Sequence, residues 1–321
     1  MEKSEKLLLF KDKIKKIYGD SLSEKIFHEI ETKPLISFRV NTLKANVNSV
    51  IEELSNLGFL IKTGILNNSY FVEIAPANKQ LSNTLQFNEG KIYIQNISSM
   101  IPATVLDPKP KEKILDICAA PGSKTSQLAA LSENKAEIIA VENNMNRFNS
   151  LKKNLENLGA ENIIFVKTQA QAVPYKFPKY KEYFDKILCD VPCSNEGLIR
   201  DLENYDFTYW NPKNAKKLSQ LQKKIIASAY QMLKKGGQMV YSTCTYSIEE
   251  NEGVVDWALK KLKSLKIEEI ALAELSSEKL SYREGFTADG NKKFSKTLSK
   301  TLRILPDRNY EAFFIAKMAK S

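Results

Sequence analysis

Residues 113–125 read KILDICAAPGSKT, and this stretch decides the fold. Its first half is a short apolar run typical of a buried β-strand, and its second half is a turn of small residues that leads into a helix. Ala119, Ala120 and Gly122 have little or no side chain, so a ligand can approach the backbone there. The stretch therefore predicts the first strand-to-helix turn of an α/β domain, where such folds bind a cofactor.

The chain beyond this turn alternates between strands and helices. Strand-like runs recur at KILDIC, EIIAVE, NIIFVK, KILCDV and QMVYST, with helical stretches between them. This alternation predicts an α/β, Rossmann-like domain with a parallel sheet covered on both faces. A long helix is predicted from Asn211 to Gly236, and Ser247 with Glu250 is expected to form a capping box for the next helix. The runs TLRILP and AFFIAKM are expected to close the sheet as an antiparallel pair.

The first part of the chain follows another pattern. Residues 1–33 have apolar positions at helical spacing, interrupted at Gly19, and predict two amphipathic helices. Residues 34–88 run strand, helix, strand, strand, which predicts a small α+β domain. Residues 89–321 are predicted to form the large domain. A chain of 321 residues exceeds the size at which one core usually stops growing, so two domains are expected.

Composition limits the possible functions. The chain has 48 Lys and Arg against 38 Asp and Glu, a net charge of +10 that suits a polyanionic partner but is shared by many proteins. No run approaches the roughly 20 apolar residues of a membrane span, and the N-terminus does not resemble a signal peptide, so a cytoplasmic protein is expected. One histidine, His28, and no pair of CxxC motifs argue against zinc and against Ser-His-Asp or Cys-His catalysis.

The second strand of the large domain ends in Glu142, an acid that can accept both ribose hydroxyls of a nucleoside. The turn at 113–125 has only one glycine, so it lacks the dinucleotide and Walker signatures, and an amino-acid cofactor is favoured over a phosphate. Arg147, in the next helix, is either a cofactor contact or part of a solvated helix face.

Two further strands each lead into a loop with a cysteine. Residues 190–197 read DVPCSNEG and residues 241–245 read YSTCT, so Cys193 and Cys244 follow what we expect to be adjacent strands, at one edge of the sheet. A buried cysteine is usually a small hydrophobic residue, and we keep that interpretation for Cys189 and Cys118. Positions just past strand ends, where active sites form, favour a chemical role for the other two thiols.

Together these motifs resemble the Nol1/Nop2/Sun (RsmB/NOP) family of RNA cytosine-C5 methyltransferases. The resemblance covers nearly the whole chain and rests on RVNTLK at 39–44, QNISS at 95–99, DICAAPGSKT at 116–125, DVPCS at 190–194, STCT at 242–245, EENE at 249–252, RILP at 303–306 and FFIAK at 313–317. It implies an S-adenosylmethionine-dependent methyltransferase domain at 89–321 and a small RRM-like, RNA-binding α+β domain at 34–88. The implied partner is rRNA or tRNA, without a metal or a membrane, and we expect a monomer.

The resemblance also implies a role for particular residues. Cys244 is the nucleophile that adds to C6 of the cytosine, and Cys193 aids product release. Asp190 contacts the N3 and N4 edge of the base, and Lys124 contacts the base or the methionine moiety of the cofactor. The implied cofactor-binding residues are Cys118, Ala119, Ala120, Pro121, Gly122, Ser123, Lys124, Glu142, Arg147, Gln169 and Asp190.

One predicted adenine contact departs from the usual family pattern, and the residues that bind RNA are a further prediction. Gln169 stands where the family usually has an acid for the adenine amino group, and its amide oxygen can still accept that hydrogen bond. Arg39 and Lys44 are expected to belong to an RNA clamp.

The alternative to an active methyltransferase is a catalytically silent RNA-binding or assembly factor that keeps the fold. The sequence does not indicate which RNA or which cytosine is methylated.

Overall fold

The predicted α/β alternation is confirmed in the structure, a computed structural model that describes residues 2–271 and 280–321. The first part of the chain contains α1 (Lys3–Glu31), β1 (Ile36–Val40), α2 (Val47–Asn56), β2 (Leu60–Thr63), β3 (Ser69–Ile74), α3 (Leu85–Asn88) and β4 (Ile92–Ile94). The central part contains α4 (Ile97–Leu106), β5 (Lys113–Asp116), α5 (Ser123–Leu131), β6 (Glu137–Glu142), α6 (Met145–Asn157), β7 (Ile163–Lys167), α7 (Val173–Lys176) and β8 (Phe184–Asp190). The last part contains α8 (Asn214–Met232), β9 (Leu233–Thr243), α9 (Glu252–Lys261), β10 (Leu265–Ile267), β11 (Tyr282–Glu284), β12 (Ala288–Asp289), β13 (Lys292–Lys293), β14 (Leu302–Ile304) and β15 (Phe313–Lys320).

The main sheet has the strand order β11-β14-β15-β9-β8-β5-β6-β7 in the part of the chain that the structure describes, with β10 paired to β15. Strands β5 to β9 pair in parallel, and the tail strands β14 and β15 are antiparallel, as predicted. The chain order reverses at β5, between β6 on one side and β8 on the other. Ligands bind at the carboxyl ends of strands beside such a reversal, so this edge locates the site.

A second sheet has the order β2-β3-β1-β4 and is antiparallel throughout. On one face, Phe38 and Val40 of β1 pack against Val50 and Leu54 of α2. The sheet continues past residue 88, the predicted end of the small domain, because β4 pairs with β1. A three-residue strand is too short to show a periodic pattern, and the division of the chain into domains itself stays a prediction.

Helix α1 consists of two helical segments, as the sequence predicts, because Gly19 has non-helical dihedral angles of φ 75° and ψ 167°. Phe10 on its inner face meets Trp210 edge-on at 5.8 Å between ring centroids. Phe10 also contacts Tyr246, which follows β9, so α1 is anchored on the main sheet close to the loops after β8 and β9.

The predicted limits of the long helix are wrong at both ends. Helix α8 begins at Asn214 and ends at Met232, not at Asn211 and Gly236. Asn211 instead accepts a hydrogen bond from the backbone N–H of Lys213 at 2.9 Å, which makes a turn before the helix. At the other end the chain passes directly from α8 into β9, so the glycine pair lies in a strand.

The predicted capping box is also wrong. Helix α9 begins at Glu252, and the Ser247 hydroxyl donates to the Glu249 carboxylate at 2.8 Å. The carboxyl group of Glu250 accepts a hydrogen bond from the backbone N–H of Ser194, in the loop after β8, at 3.0 Å. A side chain that the sequence assigns to a helix start therefore holds the neighbouring strand's loop.

Candidate active site

A cavity of about 730 Å³ lies at the carboxyl ends of the parallel strands. Most of the predicted site residues line it, namely Cys118, Ala120, Lys124, Glu142, Arg147, Gln169, Asp190, Cys193 and Cys244. Residues at the ends of β5, β6, β7, β8 and β9 and in their following loops thus meet in one cavity, as the strand order requires. Four predicted residues, Ala119, Pro121, Gly122 and Ser123, are not part of its lining.

The small residues of the first turn allow it to pack closely against α6. Gly122 has φ 104°, and a Cβ atom there would lie 3.1 Å from the Leu151 side chain of α6. Ala119 packs into the same cluster as Leu151. Helix α6 also holds the turn through Arg147, whose Nη2 donates to the Ala120 carbonyl at 2.6 Å. Gly122 thus packs against α6 on the side where a Cβ atom would lie, Ala120 lines the cavity, and the cofactor-binding role of this turn stays a prediction.

Glu142 and Arg147 form the rim at the end of β6. The Glu142 side chain is 8% exposed, its Oε1 accepts from the backbone N–H of Asn144 at 2.7 Å, and its Oε2 lies 3.7 Å from Arg147 Nη1. Thr168 also lines the cavity, and its buried hydroxyl oxygen has no hydrogen-bond partner within residues 2–271 and 280–321. Gln169 is exposed beside it, and its Oε1 accepts from Gln171 at 3.0 Å. This side of the cavity offers polar groups to a nucleoside.

An ion pair joins the first strand-to-helix turn of the main sheet to the end of β8. Lys124 Nζ lies 2.8 Å from Asp190 Oδ2, donates to the Ser99 hydroxyl at 2.6 Å and stands 5.4 Å from the Phe313 ring centre. The Ser242 hydroxyl donates to Asp190 Oδ1 at 2.7 Å, so both carboxylate oxygens are held. The side chains of Lys124 and Asp190 line the same cavity as the two thiols.

The side chains of Cys193 and Cys244 are in contact, as their predicted positions at one edge of the sheet suggest. Cys193 Sγ and Cys244 Sγ are 3.3 Å apart, and both are free cysteines. Asn195 Oδ1 lies 3.4 Å from the first sulfur and 3.2 Å from the second. The hydrogen bond to Cys244 and burial raise the pKa of Cys193 well above its ordinary value. Cys193 therefore keeps its proton beside Cys244.

Burial also raises the pKa of Cys118 and of Cys189 above the ordinary thiol value. Cys189 lies within β8 and is completely buried, and it packs in the core between the sheet and α8. These two thiols stay protonated, which agrees with their interpretation as small hydrophobic residues.

Arg39 is not part of an exposed RNA clamp, and that prediction is wrong. The residue is 4% exposed, and its Nη2 donates to the Ser126 hydroxyl at 2.6 Å and to the Ser123 carbonyl at 3.2 Å. Burial lowers the pKa of Arg39 to about 10, so the guanidinium remains charged at neutral pH. Lys44 is exposed and donates to the Asn157 carbonyl at 2.9 Å, at the end of α6. Arg39 therefore fixes the small sheet against α5.

The sequence interpretation missed several residues around the cavity. Ser99, Asn195 and Phe313 contact the predicted residues, and each lies in a motif that the sequence offered, QNISS, DVPCSNEG or FFIAK. Glu250 lies in EENE but was assigned to a helix start. Asp116, at the end of β5, is 1% exposed and accepts from the Thr125 hydroxyl at 2.7 Å through Oδ2.

The buried carboxyl group of Asp116 is expected to make the free energy of unfolding depend on pH. Burial raises its pKa to about 7, nearby Asp190 adds to the effect, and the Thr125 hydrogen bond opposes it. The folded protein thus binds a proton more tightly than the unfolded chain, where the carboxyl pKa is about 3.9. This contribution is present below pH 4 and is lost as the pH rises to 7, by up to about 1.4 kcal/mol per pH unit.

Urea unfolding of the wild type and of Asp116→Asn across this pH range measures the effect. We expect the difference in unfolding free energy between the two proteins to change steadily from pH 4 to 7 and to level off above it. A difference that is the same at every pH would contradict the assignment of this titration to Asp116.

The fold and the site together define a class, that of Rossmann-like methyltransferases. A structure titled as a methyltransferase homolog protein from Pyrococcus horikoshii superposes with a TM-score of 0.84 and 32% identity, covering 99% of this chain and 98% of that one. A structure of NSun6 from Pyrococcus horikoshii with SFG, an analogue of S-adenosylmethionine, superposes with a TM-score of 0.79 and 25% identity, covering 97% of each chain.

The sequence comparisons narrow this class to one family. The profile of the 16S rRNA methyltransferase RsmB/F family matches residues 103–319, more than half of the chain. The tRNA (cytosine(49)-C(5))-methyltransferase of Pyrococcus abyssi is 40% identical over 303 residues, which are 90% of this chain and 89% of that protein. Ribosomal RNA small subunit methyltransferase F of Pectobacterium carotovorum is 31% identical, over 97% of this chain and 62% of that protein. The chain belongs to the RsmB/F family of RNA methyltransferases, which confirms the predicted family and enzyme class.

None of the helices in residues 2–271 and 280–321 is long and apolar enough to cross a membrane. The same residues contain no group of three or more His, Cys, Asp or Glu side chains placed to hold a metal ion.

Proposed function

We propose that this chain transfers a methyl group from S-adenosylmethionine to C5 of a cytosine in RNA, with Cys244 as the nucleophile and Cys193 assisting product release. The observation that carries the proposal is the pair of free thiols 3.3 Å apart in a cavity that the Lys124–Asp190 ion pair also lines. A methyltransferase that acted on an amine would need neither thiol. A silent binding factor would need neither the thiols nor the ion pair.

The proposed substrate is structured RNA, either tRNA or rRNA. Relatives named for each of these two RNA classes align with almost the whole of this chain. The net charge of +10 favours a polyanion. In a paired cytosine the neighbouring stacked bases cover the ring faces through which a thiolate would attack C6, so the target base is single-stranded or is flipped into the cavity. A cytoplasmic location and a monomeric state remain predictions.

The residues of the cavity fit S-adenosylmethionine. Glu142 can accept from the ribose hydroxyls, the unpartnered Thr168 hydroxyl and Gln169 offer further polar contacts, and Val141 and Ile225 provide apolar walls. When bound, this cofactor supplies an electrophilic methyl group on a positively charged sulfur. The turn that ends at Lys124 would then hold the methionine part near the thiols.

The two cysteines have different roles in the proposed reaction. Cys244 adds to C6 of the cytosine as a thiolate while N3 takes up a proton, and the resulting enamine makes C5 electron-rich enough to accept a methyl group. Cys193 keeps its proton and is placed to donate it in a hydrogen bond to the Cys244 sulfur, which stabilises negative charge there. A base from solvent then takes the C5 proton, the electrons of the C5–H bond restore the C5–C6 double bond, and Cys244 leaves C6 as a thiolate. Cys193 assists this release by donating a hydrogen bond from its S–H to the departing sulfur. By resemblance to the family, the Asp190 carboxyl group contacts the N3 and N4 edge of the base.

Methyl transfer from labelled cofactor to separate tRNA and rRNA fractions tests the proposal. We expect label in one of these fractions, recovered as 5-methylcytosine after digestion. The matched control is Cys244→Ala, which should bind the cofactor and transfer no label. Cofactor binding by the wild type without methylation of any RNA would favour the silent factor instead.

A further inference from the structure

The carboxyl group of Glu250 lies behind the thiol site and is completely buried. Its Oε2 accepts from the backbone N–H of Ser194 at 3.0 Å and from Gln222 Nε2 at 2.9 Å. The same Gln222 nitrogen donates to the Pro192 carbonyl at 2.9 Å. Glu250 therefore holds both neighbours of Cys193, one directly and the other through Gln222.

A chain of four oxygen atoms runs from this carboxyl group to a second one. Glu250 Oε1 lies 2.5 Å from the Ser194 hydroxyl, which lies 2.7 Å from the Thr245 hydroxyl, which lies 2.9 Å from Glu196 Oε2. Each of these three contacts is short enough for a hydrogen bond and needs one hydrogen atom. The two hydroxyl groups supply only two. One of the two carboxyl groups must supply the third.

Charge decides which carboxyl group carries this hydrogen. Lys13 Nζ from α1 lies 2.6 Å from Glu196 Oε1, and Trp210 Nε1 donates to the same oxygen at 3.1 Å, so Glu196 is stabilised as a carboxylate. Glu250 has no lysine or arginine at ion-pairing distance among the residues that the structure describes. The titratable side chains facing it are Glu196, Cys193 and Tyr241, and none of them is a cation.

We infer that Glu250 is protonated in the folded protein and, as a neutral group, positions the Cys193 loop. Its O–H then donates to Ser194, Ser194 donates to Thr245, and Thr245 donates to Glu196, while Oε2 accepts the two N–H groups. Each of the three oxygen–oxygen contacts then contains one hydrogen atom. Burial raises the pKa of Glu250, which agrees with the proton count.

The neutral form has a consequence for the thiols. An ionised Glu250 would place a negative charge behind Cys193 and would oppose the formation of a thiolate at either sulfur. A protonated carboxyl group holds the loop equally well without that charge. Glu250, which is not among the residues lining the cavity, is thus a positioning residue for the proposed function, on which this part of the inference rests.

Infrared difference spectroscopy of the full-length wild type against Glu250→Gln tests the protonation directly. A protonated carboxyl group has a carbonyl stretch separate from the carboxylate and amide bands. We expect one such band at neutral pH in the wild type that is missing in Glu250→Gln. A carboxylate band lost in its place would overturn the inference. This result does not depend on methyl transfer, so it stands even if the proposed function fails.

Methyl transfer by Glu250→Gln and Glu250→Ala tests the positioning role. A glutamine reproduces the neutral pattern, because its amide group can donate to Ser194 and its oxygen can accept the two N–H groups. We expect Glu250→Ala to lose about 10²-fold in rate through misplacement of Cys193. Glu250→Gln should recover most of that loss. Equal losses in the two variants, with both folded by circular dichroism, would contradict the role of a neutral Glu250.

Discussion

Replacement of Cys244 by alanine is expected to lower methyl transfer by about 10⁴-fold or more, because the residue is the proposed nucleophile. Without its sulfur, C5 of the cytosine stays too electron-poor to accept a methyl group, and no neighbouring side chain replaces it. Cys193 lies 3.3 Å away, but its thiol stays protonated. Single-turnover transfer of labelled methyl to the RNA fraction that the wild type modifies measures the loss.

Cofactor binding serves as the control for this variant. Cys244 lies at the end of the cavity formed by β8 and β9, away from Glu142 and Thr168, so the alanine variant should bind the cofactor as the wild type does. Substantial methylation by Cys244→Ala would show that another group attacks the base, and the assignment of the two thiols would have to be given up.

The second large effect is expected at the buried ion pair between Glu252 and Arg303. Arg303 Nη2 lies 2.5 Å from one Glu252 oxygen and Nε lies 2.6 Å from the other, and the two side chains are 0% and 2% exposed. Arg303 Nη1 also donates to the Tyr18 hydroxyl at 2.9 Å. The pair therefore joins the start of α9 to β14 and to α1.

Glu252→Ala is expected to cost about 3–5 kcal/mol in unfolding free energy, because it leaves the Arg303 charge buried without a carboxylate. Urea unfolding followed by circular dichroism measures this cost. The matched control is the double variant Glu252→Leu with Arg303→Met, which removes both charges and should be more stable than Glu252→Ala. A single variant within about 0.5 kcal/mol of the wild type would contradict the account of this pair.

The sequence predicted the parallel strands and their common edge well, because each central strand is a short, continuous apolar run between turn residues. KILDIC, EIIAVE and KILCDV are strands of the main sheet in the structure. Cys193 and Cys244 meet because β8 and β9 are adjacent and parallel, so their carboxyl ends lie at one edge. The tail strands were found for the same reason.

Predictions from local sequence patterns were wrong where a side chain forms hydrogen bonds with residues that are distant in sequence. Ser247 and Glu250 have the spacing of a capping box, but a carboxyl group that is completely buried by tertiary packing bonds to the loop after β8 instead. Arg39 was expected on an RNA-facing surface, because a sequence shows the charge of a residue and not its burial. In each case the deciding contact comes from another element.

The most direct test of the central claim is a denaturing gel of Cys193→Ala incubated with cofactor and the RNA that the wild type methylates. If Cys244 forms a bond to C6 and Cys193 assists its cleavage, this variant should accumulate a protein–RNA adduct that survives denaturation. The adduct should be missing when Cys244→Ala is added to Cys193→Ala. An adduct that persists in the double variant, or none with Cys193→Ala while methylation continues, would contradict the proposed division of roles between the two thiols.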